Sequence, residues 1–125
     1  MTFEEYARIV DGTLARHWAI TEARVNSKEV SPAHGVVQGE IVLLDGSYVD
    51  FSEEILIVAN AIVKKGYRYQ YVKNEQPFFR YDNYPNHPGL RPPYYHQHSS
   101  NQSLVHLEEA PKLIDVLEEA LRYMF

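Results

Sequence analysis

Tyr67-Arg68-Tyr69-Gln70-Tyr71-Val72, then Lys73-Asn74-Glu75-Gln76, then Phe78-Phe79-Arg80-Tyr81, is the stretch whose reading decides the fold. Its first part alternates aromatic and polar residues, the period-2 pattern of a strand with one buried face. A short polar run interrupts the pattern and the aromatic residues then resume, which predicts a hairpin. With Asn74-Glu75 as the loop, Tyr71 faces Phe78, Tyr69 faces Arg80 and Tyr67 faces Asp82. Those six residues then share one face, with Arg68, Gln70, Phe79 and Tyr81 on the other. A three-residue loop would reverse the assignment, because a shift of one residue turns every side chain over.

Upstream, Val36 to Leu44 and Ser47 to Phe51 flank Asp45-Gly46, a pair typical of a type I′ hairpin. That register sets Leu44 opposite Ser47 and Val42 opposite Val49. Ser31-Pro32-Ala33-His34-Gly35 predicts a turn, and residues 18–28 a further strand. Trp18 is expected to anchor the core. Residues 52–63 fit either a capped helix or a buried strand; a turn near 52–54 and extended chain by Ile62 is the expectation. At the N-terminus, Thr2-Phe3-Glu4-Glu5 has the form of a capping box, and Phe3, Tyr6, Val10 and Leu14 recur at helical spacing. Gly12 is expected to bend or end this helix.

Downstream, residues 84–103 contain four prolines, Pro85, Pro88, Pro92 and Pro93, which disfavour both helix and central strand. A long ordered loop is expected, and such loops commonly serve function. The chain closes on a helix with Pro111 in its first turn, Glu108 and Glu109 at its positive end, and an apolar stripe of Leu113, Ile114, Leu117, Leu121 and Met124. The sum is one α+β domain over residues 1–125. It is an antiparallel sheet of about five strands, with N- and C-terminal helices packed mainly on one face.

Composition narrows the function. A chain of 125 residues with 45% apolar content can bury one core. No stretch is long and apolar enough to span a membrane, and the first residues lack the pattern of a signal peptide, so a cytoplasmic location is expected. Without cysteine there is neither a disulfide nor a thiolate metal site. A net charge of −5 argues against broad, non-specific nucleic-acid binding, yet Lys64, Lys65, Arg68, Lys73, Arg80 and Arg91 are concentrated in one part of the chain. Seven of the ten tyrosines also fall between Tyr67 and Tyr95.

Arg80, Asp82, Asn83, His87, His96 and His98 form the dense group of chemically capable residues. Phosphodiester chemistry is one reading: His96 or His98 exchanges protons near neutral pH, Arg80 grips phosphate, and Asp82 orients a histidine or the arginine. Tyrosines would stack on unpaired bases. A second reading is metal binding by His96, His98, His87 and Asp82, for which the spacing alone is a weak signal. A third is structural: Arg80 and Asp82 as an ion pair, Asp82-Asn83 as a turn, and His96 and His98 as solvated loop residues. His17 and His34 flank turns and are expected at the surface.

At Tyr67-Arg68-Tyr69-Gln70-Tyr71, Phe79-Arg80-Tyr81-Asp82-Asn83, Pro85-Asn86-His87-Pro88 and His96-Gln97-His98, the chain resembles the TumE family of toxin–antitoxin proteins. The order of elements matches too, including the Asp45-Gly46-Ser47 turn. The resemblance implies a toxin neutralised by a helix-turn-helix antitoxin protein; RNA is the candidate target of the phosphodiester reading, and no membrane partner is expected. Its motif matches Tyr67, Tyr69, Arg80, Asp82, Asn83, His87, His96 and His98; Arg80, Asp82, His87, His96 and His98 are expected as catalytic residues, and Tyr67, Tyr69, Asn83 and Arg68 as substrate-binding residues. Asn86 and Tyr95 stand where the family commonly has histidine, which weakens a metal or multi-histidine site most. No cofactor and no metal is assigned. The alternative is a non-catalytic binding or homodimerisation module with a Tyr-rich sheet face.

Overall fold

In the computed structural model, which describes residues 1–83, 96–98, 104–106 and 110–124, the chain is an antiparallel meander between two helices. Helix α1 spans Phe3–Arg16, and helix α2 spans Leu113–Leu121. Five long strands follow α1: β1 (Ile20–Ser31), β2 (His34–Leu43), β3 (Tyr48–Val58), β4 (Ala61–Lys73) and β5 (Gln76–Asp82). Two three-residue strands, β6 (His96–His98) and β7 (Leu104–His106), complete the sheet in sequential order. The α+β class, the antiparallel sheet and the terminal helices are as the sequence indicates. His96–His98, expected in a loop, is instead a strand paired on both sides.

One face of the sheet carries the core. Val37 and Ile41 of β2, Val49, Phe51 and Ile55 of β3, Tyr67, Tyr69 and Tyr71 of β4, and Phe79 of β5 are all buried there. Phe3, Tyr6, Val10 and Leu14 of α1 and Leu113, Val116 and Leu117 of α2 join the same cluster. Burying a large side chain contributes about 1.5–3 kcal/mol, so this single layer supplies most of the folding drive.

Local chemistry sets each boundary. Thr2 caps α1, its hydroxyl accepting from Glu5 N at 3.2 Å, and the helix runs through Gly12 without ending. The Asp45-Gly46 turn is one residue longer than expected. Gly46 N donates to Leu43 O at 2.9 Å, Leu43 N donates to Ser47 O at 2.8 Å, and Gly46 has a positive φ of 86°. Such a three-residue loop is a type I turn with a glycine bulge, and it pairs Ile41 with Val49 and Val42 with Tyr48. Residues 52–54 form no turn: β3 continues to Val58, and the reversal occurs at Ala59-Asn60, both left-handed at φ of 50° and 64°. The period-2 burial of Val49, Phe51, Glu53 and Ile55 keeps that strand whole.

The Asn74-Glu75 loop is as expected, with φ of 53° and 63°, but the register beyond it is not. Val72 pairs with Pro77 and Tyr71 with Phe79, so Phe78 is an inserted bulge residue. The bulge turns the rest of β5 over, placing Tyr69 opposite Tyr81, Gln70 opposite Arg80 and Arg68 opposite Asp82. A second bulge lies at Lys65, because Glu54 pairs with Gly66 and Ile55 with Lys64. The side chain of Asn83 bridges this bulge, accepting from Tyr67 N and donating to Lys65 O, both at 3.0 Å.

Three other expectations are corrected. Trp18 is 64% exposed while the neighbouring Ala19 occupies the core. The side chain of His17 is covered, its Nδ1 accepting from Ala19 N at 3.2 Å. Pro111 precedes α2 rather than entering its first turn, since Lys112 is the capping residue.

At Gly35 the Phe3 ring of α1 lies directly on the sheet backbone. A β-carbon there would lie 2.4 Å from the Phe3 ring. Gly35→Ala is therefore expected to destabilise the fold by about 1–3 kcal/mol through overpacking. Urea denaturation checks this, and an unchanged midpoint would refute the contact.

Candidate functional site

The face of the sheet turned away from the helices carries the polar residues singled out by sequence. Arg68 and Gln70 project from β4, Arg80 and Asp82 from β5, and Asp50 from β3. The Arg80 side chain, one-third exposed, forms an ion pair with the fully buried Asp82 at 2.7 Å (Nε to Oδ2). Arg68 donates to Gln70 Oε1 and lies 3.8 Å from Asp50 Oδ2. Across the β5–β6 ladder, Arg80 is paired in register with His98, and Asp82 with His96.

The structure divides the nine candidates as follows. Arg68, Arg80 and Asp82 share the outer face, and the backbone positions of His96 and His98 adjoin the last two. Asn83 follows β5 and holds the Lys65 bulge. Tyr67 and Tyr69 lie on the opposite, helix-covered face, 3% and 0% exposed. Their rings pack against each other at 5.6 Å, and Tyr69 stacks on Phe51 at 6.1 Å. The Tyr-rich face expected as a docking surface is thus the core face. His87 lies outside the described residues. Among the described residues, no three His, Asp or Glu side chains are gathered as a metal site.

A second polar group lies within the core, and the sequence reading missed it. Glu53 is fully buried on β3. Tyr6 donates to its Oε1 at 2.6 Å, Tyr69 donates to Oε2, and Lys64 Nζ lies 3.0 Å from Oε2. Lys64 also donates to Pro111 O at 2.7 Å and to Tyr69 Oη. The ammonium thus has an acceptor for each of its three protons. Burial, reinforced by the Glu53 carboxylate, raises the Tyr6 and Tyr69 phenols well above their ordinary value. Burial lowers Lys64, with Glu53 opposing the shift. This arrangement ties α1, β3, β4 and the lead into α2 together. Beside it opens a cavity of about 590 Å³, walled by Ile9, Val10, Ile62, Val63 and Pro111 and reaching Lys64. Glu53 sits at an apolar parity between Phe51 and Ile55, a signal legible once β3 is read as unbroken.

A sheet of this order, covered by helices on one face and bearing Arg68, Arg80 and the buried Asp82 on the other, is an α+β domain. Residues 8–124 match the family model described as Toxin TumE, so the chain belongs to that toxin family, and membership implies an antitoxin partner. No curated protein and no solved structure matches the chain. No described helix is long and apolar enough to cross a membrane.

Removing Glu53 alone leaves the Lys64 ammonium buried without its counter-charge. Glu53→Ala is expected to cost about 3–5 kcal/mol, whereas Glu53→Leu combined with Lys64→Met recovers most of that loss. Chemical denaturation of the two variants checks the pairing, and equal losses in the single and the double variant would contradict it.

The phenols give a separate pH signature. Above pH 10 an unfolded tyrosine releases its proton while Tyr6 and Tyr69 keep theirs, so the native state binds more protons and stability falls as pH rises. Lys64, whose folded value is lowered, acts in the opposite sense up to its unfolded value of 10.5. The net decline therefore steepens above that pH. Tyrosinate absorbance should show Tyr6 and Tyr69 ionising only as the chain unfolds, with Tyr81, pushed up to about 12 by burial, also late; ionisation of all ten near pH 10 in the folded state would rule this out.

Proposed function

We propose that the protein is the toxin of a toxin–antitoxin pair and acts on RNA as a phosphodiesterase, with the active site on the outer face around β5 and β6. The observation carrying this reading is the register that sets Arg80 against His98 and Asp82 against His96. In this proposal Arg80 and Arg68 hold the phosphate and stabilise charge developing on it. One histidine accepts the proton of a ribose hydroxyl as its oxygen attacks phosphorus, and another returns a proton to the leaving oxygen. His96, His98 and His87 are the candidates for these roles, and Asp82 orients the guanidinium or an imidazole. Tyr67, Tyr69 and Asn83 act by shaping the sheet beneath the site. The antitoxin is proposed to be a helix-turn-helix protein that neutralises the toxin in the cytoplasm.

The test is expression of the chain with and without a neighbouring helix-turn-helix gene, followed by mapping of RNA ends. Arg80→Lys, which keeps the charge beside Asp82, and His98→Ala are each expected to lower RNA cleavage by about 10²-fold or more, with the circular-dichroism spectrum unchanged. Growth inhibition should fall with the cleavage. Toxicity without new RNA ends would eliminate the nuclease, and absence of toxicity would eliminate the toxin reading for this chain.

A further inference from the structure

Strand β1 is twelve residues long, and ten of them are exposed. Among the described residues it forms one edge of the sheet and pairs only with β2. A long open edge is a template for another strand, and charges or bulges usually blunt it. Here both devices are present, at Thr21 and Val30 as bulges and at Glu22, Arg24, Lys28 and Glu29 as charges. We propose that β1 is a self-pairing edge to which a second copy of this chain adds its own β1, antiparallel, about a two-fold axis at Val25.

The backbone fixes which groups are available. Leu43 N donates to Ser47 O, so odd-numbered positions of β2 bond to β3. Leu44 N donates to Ala19 O, so even-numbered positions bond towards β1. Glu22, Arg24, Asn26 and Lys28 pair with Val42, Glu40, Gln38 and Val36, and their backbone groups are used on β2. Ala23, Val25, Ser27 and Glu29 therefore turn their N–H and C=O outward. An axis at Val25 sets Ala23 against Ser27 of the second copy and Val25 against itself, giving about six new backbone bonds.

The side chains agree with the same axis. Glu22 meets Lys28 of the second copy, twice by symmetry, and Arg24 meets Asn26. Arg24 is already held by Glu22 of its own strand at 2.9 and 3.0 Å, which offsets the approach of the two Arg24 side chains across the axis. An axis between Val25 and Asn26 would oppose Glu22 to Glu29 and set outward groups against used ones. Axes at Ala23 or Ser27 keep the bonding pattern but shorten the overlap. The charges therefore select one register instead of blocking all of them. Trp18, the single tryptophan, and Val30, 62% exposed, lie at opposite ends of the edge and approach each other across the axis.

Sedimentation equilibrium of the full chain tests the proposal, with tryptophan emission as a second readout. The mass should rise from 14.5 kDa towards twice that value with concentration, and Trp18 emission should shift to the blue in step. Val25→Pro removes an outward donor without breaking a bond to β2, and should leave a folded monomer at every concentration. Glu22→Lys and Lys28→Glu should each weaken association by about tenfold, and their combination should restore it. A wild-type chain that stays monomeric would overturn the proposal, as would a dimer indifferent to Val25→Pro. So would an antitoxin complex lost on Val25→Pro while the free toxin remains monomeric, because the edge would then belong to an antitoxin strand.

Discussion

The carboxylate of Glu53 can lie in the core because the ammonium of Lys64 meets it there, and the ammonium arrives because β4 carries one extra residue at Lys65. Without that insertion Lys64 would follow the parity of Arg68 and Gln70 and point to the outer face. Asn83 holds the inserted residue by replacing two ladder bonds with its side-chain amide. A buried carboxylate without such a partner would be costly enough to stay protonated or unfold the strand. From this pair follow the placement of Tyr6 and Tyr69, and, through the carbonyl of Pro111, the seat of α2.

A second insertion, Phe78, decides the outer face in the same way. The β4–β5 loop alone would turn Arg80 and Asp82 towards the helices, where a guanidinium would displace the Phe79 and Tyr81 rings. The bulge exchanges the two sets, so aromatic rings fill the core and the ion pair lies on the other side. Strand β5 thus sends its aromatic rings to the core and its ion pair to the opposite face. Bulges are the means by which a sheet re-aims one run of side chains while keeping its hydrogen-bond ladder.

The parts legible in the sequence are those set by local chemistry. The capping Thr2, the apolar stripes of both helices, the alternation of Tyr67, Tyr69 and Tyr71, and the Asn74-Glu75 loop each act within a few residues. They led to the α+β class and to the polar group around Arg80. The facing of that group was not legible, because one bulge residue reverses it and Phe78 and Phe79 are equally good candidates for the extra position. The turn expected near residues 52–54 is absent because Glu53, which reads as a surface residue, is buried by its distant partners Tyr6 and Lys64. Trp18 was misplaced for a related reason: size suggests burial, but the small Ala19 is what fits beneath the end of α1.

Charge sets how an outer-face site can engage a polyanion. The chain is acidic overall, so its long-range field repels RNA, and at physiological ionic strength that field fades beyond about 8 Å. Attraction must then come from groups at contact distance. Arg80 is balanced by Asp82 at 2.7 Å, while Asp50 lies 3.8 Å from Arg68 and is half exposed. Arg68 is accordingly the less neutralised of the two guanidinium groups, and Arg80 the more rigidly held. Such a pair favours short-range recognition of a particular phosphate over diffuse binding along a backbone, because fixed, partly neutralised donors reward correct geometry more than proximity. Under the proposed reading, a surface built this way would engage few sites on RNA, and the geometry of its ladder would select among them.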